Sequence, residues 1–270
     1  MNHFRRQGKL LCVAIAGMLA FGDCTCSVYA AQPSLPEALS AEISADVYAK
    51  PTSGTELTDE QLAEYYGDSV FIGDSIMQGF RNYSVKQDTF VHDIQFLTAV
   101  NYSANCALKP VKGNNVHLKY QGKKYQLWNL LPLLGKKRVF ILLGTNDLIS
   151  AGLDRSRDRY KELIDKILET SPDMEIHIIS VTYTLKDKGK GCLYNPNIDM
   201  YNGLLQAMAE ENDWGYIDLC TPLADSEGNL AKEYCSDNFV HLTNAAYTLW
   251  ETELINYANA VLTETNTEER

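Results

Sequence analysis

Apolar residues alternate along this chain in two rhythms. Continuous runs at Val70–Ile72, Arg138–Leu143 and Glu175–Val181 predict buried strands; Ile94–Val100 gives a weaker candidate and Gly215–Leu219 a shorter one. Between them, Tyr160, Leu163, Ile164, Ile167 and Leu168 recur at helical spacing, as do Ile198, Tyr201, Leu204, Leu205 and Met208. Thr243 is placed to cap a last helix whose apolar stripe runs, on a slightly drifting face, through Ala246, Leu249, Trp250, Ile255, Ala258 and Val261. Strands separated by helices of this length predict an α/β domain built on a parallel sheet covered on both faces. Its ligand site belongs at the C-terminal ends of the strands. The stretch Val111–Tyr125 is polar and basic in places, and fits either a hairpin or an excursion over the site.

The N-terminal end follows a different pattern. Arg5, Arg6 and Lys9 precede an almost uninterrupted apolar run from Leu10 to Phe21, and Val28, Tyr29 and Ala30 supply a cleavage-like end. This reads as a signal peptide over residues 1–30, too short for a spanning helix of about 20 residues. An uncleaved anchor is the alternative, and either way the domain is expected outside the cytoplasmic membrane, secreted or at the cell surface. Residues 31–57, rich in Pro, Ser, Ala and acidic residues, form a tether or lead-in, and residues 58–265 form the domain.

The chain carries a net charge of -11, and loss of the basic leader leaves the rest more acidic. That balance argues against nucleic acid and anionic lipid as partners, with membrane contact only through the N-terminal segment if it is uncleaved. The sequence leaves the oligomeric state open. Beyond the leader stand Cys106, Cys192, Cys220 and Cys235. In an oxidising compartment a Cys220–Cys235 bridge is favoured because the two flank one loop, with reduced, buried cysteines as the alternative. Their wide spacing offers no zinc pattern, and neither a metal nor a cofactor is expected.

The chemistry sits at strand ends. Gly73, Asp74 and Ser75 follow the first strand, where a glycine allows a tight turn and a serine opens a helix. Such a serine is either a nucleophile with its own N–H facing an oxyanion or an ordinary helix cap. Gly144, Thr145, Asn146 and Asp147 follow another strand and fall on the same sheet edge; Asn146 offers an amide donor, and Asp147 is expected to organise the turn. His241, ahead of the last helix, is positioned to act as a general base, or is a surface histidine.

With these three segments in order, the chain resembles the SGNH hydrolases, also called GDSL-like lipases and esterases, over roughly residues 66–262. The resemblance rests on Gly73-Asp74-Ser75, Gly144-Thr145-Asn146-Asp147 and the run from Ser236 to Thr243. It implies a flavodoxin-like three-layer α/β/α sandwich and hydrolysis of carboxylic esters. Ser75 would be the nucleophile, His241 the base and Asn146 an oxyanion donor. Two departures stand out. The family's acid lies three residues before the histidine, where this chain has Asn238; Asp237 lies four before and is favoured as the acid, with Asn238 or a backbone carbonyl as rivals. The family's oxyanion glycine is also missing from Asn101–Cys106, where Ala104 is the best positional match and Ser103 and Asn105 are close rivals.

Gln78, Tyr183, Tyr194 and Asn195 are candidate substrate-lining residues suited to a polar, glycan-like substrate. The chain lacks long lid-like apolar segments. The favoured function is therefore removal of a short acyl group, acetate first, from a carbohydrate or other small ester through Ser75, His241 and Asp237. Acyl transfer by the same residues, or a noncatalytic glycan-binding role on the same scaffold, are the alternatives. Phosphoryl transfer has no Gly-rich loop with a following Lys and Ser/Thr to support it.

Overall fold

The computed structural model describes the backbone of residues 57–268 and the side chains of residues 57–262. The expected signal peptide (1–30) and all but the last residue of the lead-in (31–57) lie outside the described residues. Helix α1 (Asp59–Gly67) opens on a reciprocal cap in which the Thr58 hydroxyl accepts from Gln61 N and the Gln61 side chain accepts from Thr58 N. This helix is not among those expected from the sequence, although its Thr-x-x-Gln spacing is a capping-box pattern.

Five parallel strands follow: β1 (Ser69–Gly73), β2 (Gln95–Thr98), β5 (Arg138–Leu142), β6 (Glu175–Ile179) and β7 (Gly215–Ile217), ordered β2-β1-β5-β6-β7. The helices are α2 (Ser75–Ser84), α3 (Ala104–Leu108), α4 (Leu127–Leu130), α5 (Thr145–Ala151), α6 (Leu153–Thr170), α7 (Asn195–Glu211) and α8 (Asn244–Glu268). The stretch Val111–Tyr125 resolves into an antiparallel hairpin, β3 (Leu118–Tyr120) with β4 (Lys123–Tyr125). Each strand expected from the sequence is present, trimmed by one to three residues at its ends in most cases.

Alternation along the strands divides the core into two layers. Val70, Ile72, Val139 and Ile141 pack beneath α3, α4, α6 and α7, whereas Phe71, Phe140 and Leu142 pack beneath α1, α2 and α8. The result is a three-layer α/β/α sandwich. In the second layer, Phe71 stacks on Phe140 at 4.5 Å, and Phe140 on His177 at 4.4 Å, following the strand register. Burial, with the nearby Arg138 charge, lowers the His177 pKa to about 3, so its ring is a neutral member of the core.

Two helices leave β1 and β5 at the point where the strand order reverses, which is where open α/β sheets form their crevice. Tight packing fixes the second exit. Gly144 has φ +140, and a Cβ there would lie 2.5 Å from Val181 Cγ2 and 2.6 Å from Tyr201 Cε1. Gly144→Ala is expected to cost about 2 kcal/mol through backbone strain and overpacking, lowering Tm by about 4–8 °C. An unchanged melting curve would show that the turn relaxes freely.

The favoured Cys220–Cys235 bridge is corrected: both residues are free, as is Cys106, while Cys192 is disulfide-bonded. Cys220 is buried at the start of the turn Thr221–Leu223, beside Tyr183, whereas the Cys235 thiol lies 3.6 Å from Asp237 Oδ1. Flanking one loop in sequence did not bring the two sulfurs together.

Candidate active site

At the exit of β1, the capping role falls on Asp74 and not on Ser75. The Asp74 carboxylate accepts from Ile76 N at 2.9 Å, which places Ser75 in the first helical position with its hydroxyl free for another partner. That partner is His241: Ser75 Oγ lies 2.9 Å from His241 Nε2. Ser75 N–H has no acceptor among the described residues.

His241 arrives on a loop closed by its own backbone. A bridge pairs Cys235 with Leu242, and Ser236 N donates to His241 O at 2.8 Å. The Thr243 hydroxyl then caps α8, as the sequence predicts. Within this loop Asn238 adopts φ +61, a left-handed conformation that asparagine tolerates better than most residues. The resulting turn accommodates the extra residue between acid and histidine. It leaves Asp237 Oδ2 2.5 Å from His241 Nδ1, while Asp237 Oδ1 accepts from the N–H groups of Phe239, Val240 and His241 at 2.9, 3.0 and 3.1 Å. Partial desolvation pushes the Asp237 pKa up, but the His241 side chain and these three N–H groups outweigh it and bring it down to about 2. Asp237 is thus an anion held on both oxygens.

Asn146, from the β5 exit, meets the same place. Its Nδ2 donates to Asp74 Oδ2 at 2.8 Å and, at 3.2 Å, to Tyr102 O. Asp74 is fully buried, and burial lifts its pKa to about 6 against the lowering effects of Ile76 N–H, His241 and Asn146. Sequence reasoning treated Asp74 only as part of a motif; its link to Asn146 crosses from one strand exit to the next, and no local pattern reports it.

Ala104 as an oxyanion donor is corrected. Its N–H donates to Asp147 Oδ2 at 3.0 Å, and Asn105 N–H donates to Asp147 Oδ1 at 3.0 Å. Asp147 therefore organises the neighbouring segment, capping α3 across the sheet edge, and burial raises its pKa. Of the three block-two candidates, Ser103 alone keeps an N–H without an acceptor among the described residues; its hydroxyl accepts from Cys106 N at 3.0 Å.

The four proposed lining residues separate. Gln78 lies one turn after Ser75 on α2 and is partly exposed. Tyr194 is exposed just before α7. Tyr183 donates its hydroxyl to Asp199 and packs on both core layers. Asn195 is corrected to a structural residue: it is buried, its Oδ1 accepts from Thr184 N at 2.9 Å, and its Nδ2 donates to Thr184 O and Asn229 Oδ1. Its amide is occupied in joining two loops and has nothing left for a ligand.

Comparison with known proteins matches residues 71–249 to the GDSL-like Lipase/Acylhydrolase family. Among solved structures, a protein from Streptococcus pneumonia aligns at 20% identity over 74% of this chain and 92% of its own, with a TM-score of 0.53. A GDSL-like lipase from Bacteroides thetaiotaomicron aligns at 16% identity over 77% and 93%, also with a TM-score of 0.53. At these identities the likeness is one of fold. No curated protein matches the chain.

Proposed function

The chain belongs to the GDSL-like lipase/acylhydrolase family and is a carboxylic ester hydrolase; from that premise we propose that it is a secreted or cell-surface serine esterase that removes short acyl groups, acetate first, from carbohydrates or other small esters. The observation that carries this reading is the hydrogen-bonded line from Ser75 Oγ through His241 to Asp237. Ser75 Oγ attacks the ester carbonyl while His241 Nε2 takes its proton, and Asp237 steadies the imidazolium through Nδ1. The tetrahedral intermediate collapses, and His241 returns the proton to the departing alcohol. Water, deprotonated by His241, then attacks the acyl-serine; its collapse frees the carboxylic acid and restores Ser75.

The developing oxyanion is served by Ser75 N–H and by Asn146 Nδ2, whose longer bond to Tyr102 O is the one an oxyanion would replace. Asp74 holds the other amide hydrogen and so keeps Asn146 oriented through the exchange.

Polar side chains surround the Ser75–His241 pair: Asp74 and Gln78 stand near Ser75 in sequence, Asn146 is bonded to Asp74 and Asp237 to His241, which supports a small, polar acyl ester over a long-chain lipid. Secretion rests on the N-terminal sequence pattern. The test is a chain-length series of p-nitrophenyl esters. The expected order of kcat/KM is acetyl, then butyryl, then octanoyl, falling at least about tenfold from first to last, since discrimination of roughly 10–200-fold per methylene is within reach of a shaped pocket. A preference for octanoyl would overturn the short-acyl reading.

A further inference from the structure

From Ile94 to Gly135 the chain contains neither Asp nor Glu, yet Lys109, Lys112, Lys119, Lys123 and Lys124 fall within it. In a chain of net charge -11, this concentrates positive charge on one unit, the exit of α3 and the β3–β4 hairpin. Lys109, Lys112, Lys119 and Lys123 are exposed. The described lysines that pair with a carboxylate are Lys137, Lys161 and Lys186, all outside this unit. Lys124 donates instead to Asn115 O at 2.8 Å.

The hairpin register adds an independent observation. Lys119 stands directly opposite Lys124, and like charges facing across a strand pair are destabilising. The hairpin is anchored by Leu118, which is buried, with Tyr120 and Tyr125 packed against the core. Lys124 is engaged within the fold by Asn115 O, whereas Lys109, Lys112, Lys119 and Lys123 have no carboxylate partner among the described residues, so nothing described in the fold offsets their charge.

The unit also begins at the edge of the active site. The first two N–H groups of α3 are tied to Asp147, next to Asn146, and Tyr102 O accepts from the Asn146 amide. On the His241 loop, Lys190 Nζ lies 4.1 Å from the centroid of the Phe239 ring, and Phe239 N–H bonds to Asp237. Charges more than about 10 Å apart are largely screened at 0.1 M salt. Attraction of a ligand on the hairpin by these lysines is therefore a short-range effect that salt weakens.

We propose that the α3–hairpin unit is a docking surface for an acidic polysaccharide with repeated carboxylate groups, and that it delivers acyl esters of that polymer to Ser75. The proposal rests on the esterase reading above. Lysine is a mobile point charge and not a rigid fork, which suits tracking a flexible chain of charges more than gripping one fixed anion. DNA offers Ser75 no carboxylic ester, so the reaction favours a glycan over that polyanion.

The experiment measures binding of the full chain to fluorescein-labelled polygalacturonate, to labelled poly(glycerol phosphate) and to neutral dextran, beside a Lys112→Gln/Lys119→Gln/Lys123→Gln variant. Wild-type protein should bind polygalacturonate more tightly than poly(glycerol phosphate) and should not bind dextran. Binding should weaken at least about tenfold between 50 and 300 mM NaCl and at least about tenfold in the variant, while turnover of p-nitrophenyl acetate stays within twofold. Equal binding by the variant, no binding of polygalacturonate by wild type, or tighter binding to poly(glycerol phosphate), duplex DNA or phosphatidylglycerol vesicles would overturn the proposal. Because binding is read without hydrolysis, absence of p-nitrophenyl acetate turnover in both proteins would count against the esterase reading alone.

Discussion

Replacing Ser75 with Ala is expected to lower kcat for p-nitrophenyl acetate by about ten-thousand-fold or more, with Tm within about 2 °C of wild type. Loss of a serine nucleophile from a concerted Ser–His pair typically removes most of the catalysis, and what remains comes from oxyanion donors and binding. The structure explains why stability should be spared. The helix cap at the β1 exit is Asp74, whose carboxylate accepts from Ile76 N, and the described partner of the Ser75 hydroxyl is His241. The substitution removes one hydroxyl from a partly exposed position and leaves the cap and the core untouched. Turnover within tenfold of wild type would mean that another group attacks the ester.

The second large effect is expected at Asp237. Asp237→Ala should reduce kcat by about one-hundred- to ten-thousand-fold, because the imidazole then loses the partner that fixes its tautomer and supports its charge. Asn238→Gly should stay within threefold of wild type. Glycine keeps the φ +61 turn accessible, and no described residue hydrogen-bonds to the Asn238 side chain. The three backbone N–H groups that meet Asp237 Oδ1 make Asp237→Asn a useful intermediate. Its amide can keep an oxygen on those donors but presents an NH2 group, not a carboxylate oxygen, to His241. Turnover within twofold in Asp237→Ala, together with loss of activity when Asn238 is replaced, would reassign the orienting group.

The sheet was legible because its central strands are apolar throughout. Val139 to Leu142 and Ile176 to Ile179 are buried on both faces, and such runs read as strands without reference to any neighbour. The long helices α6, α7 and α8 carried their own spacing. The positions of Ser75, Asn146 and His241 followed, since each lies at a strand exit or at the cap of a helix. The roles that escaped the sequence belong to polar side chains whose partners are distant. Asp147 is held by N–H groups 42 and 43 residues away, and it takes from Ala104 the donor that the motif would assign to an oxyanion. Asn195 has an ordinary loop identity but spends its amide on Thr184 and Asn229. Cys220 and Cys235 flank a loop whose path turns their sulfurs toward different neighbours. In each case burial and the choice of partner are tertiary facts, fixed when the layers close over the strand ends.

The most direct test of the central claim, that Ser75 is a nucleophile activated by His241, is covalent capture with a p-nitrophenyl alkylphosphonate. The expected result is one equivalent of p-nitrophenol released per chain and a phosphonyl adduct on the peptide containing Ser75, absent from Ser75→Ala and formed at least about one-hundred-fold more slowly in His241→Ala. An adduct on another residue, or ester turnover that persists without any adduct at Ser75, would contradict it.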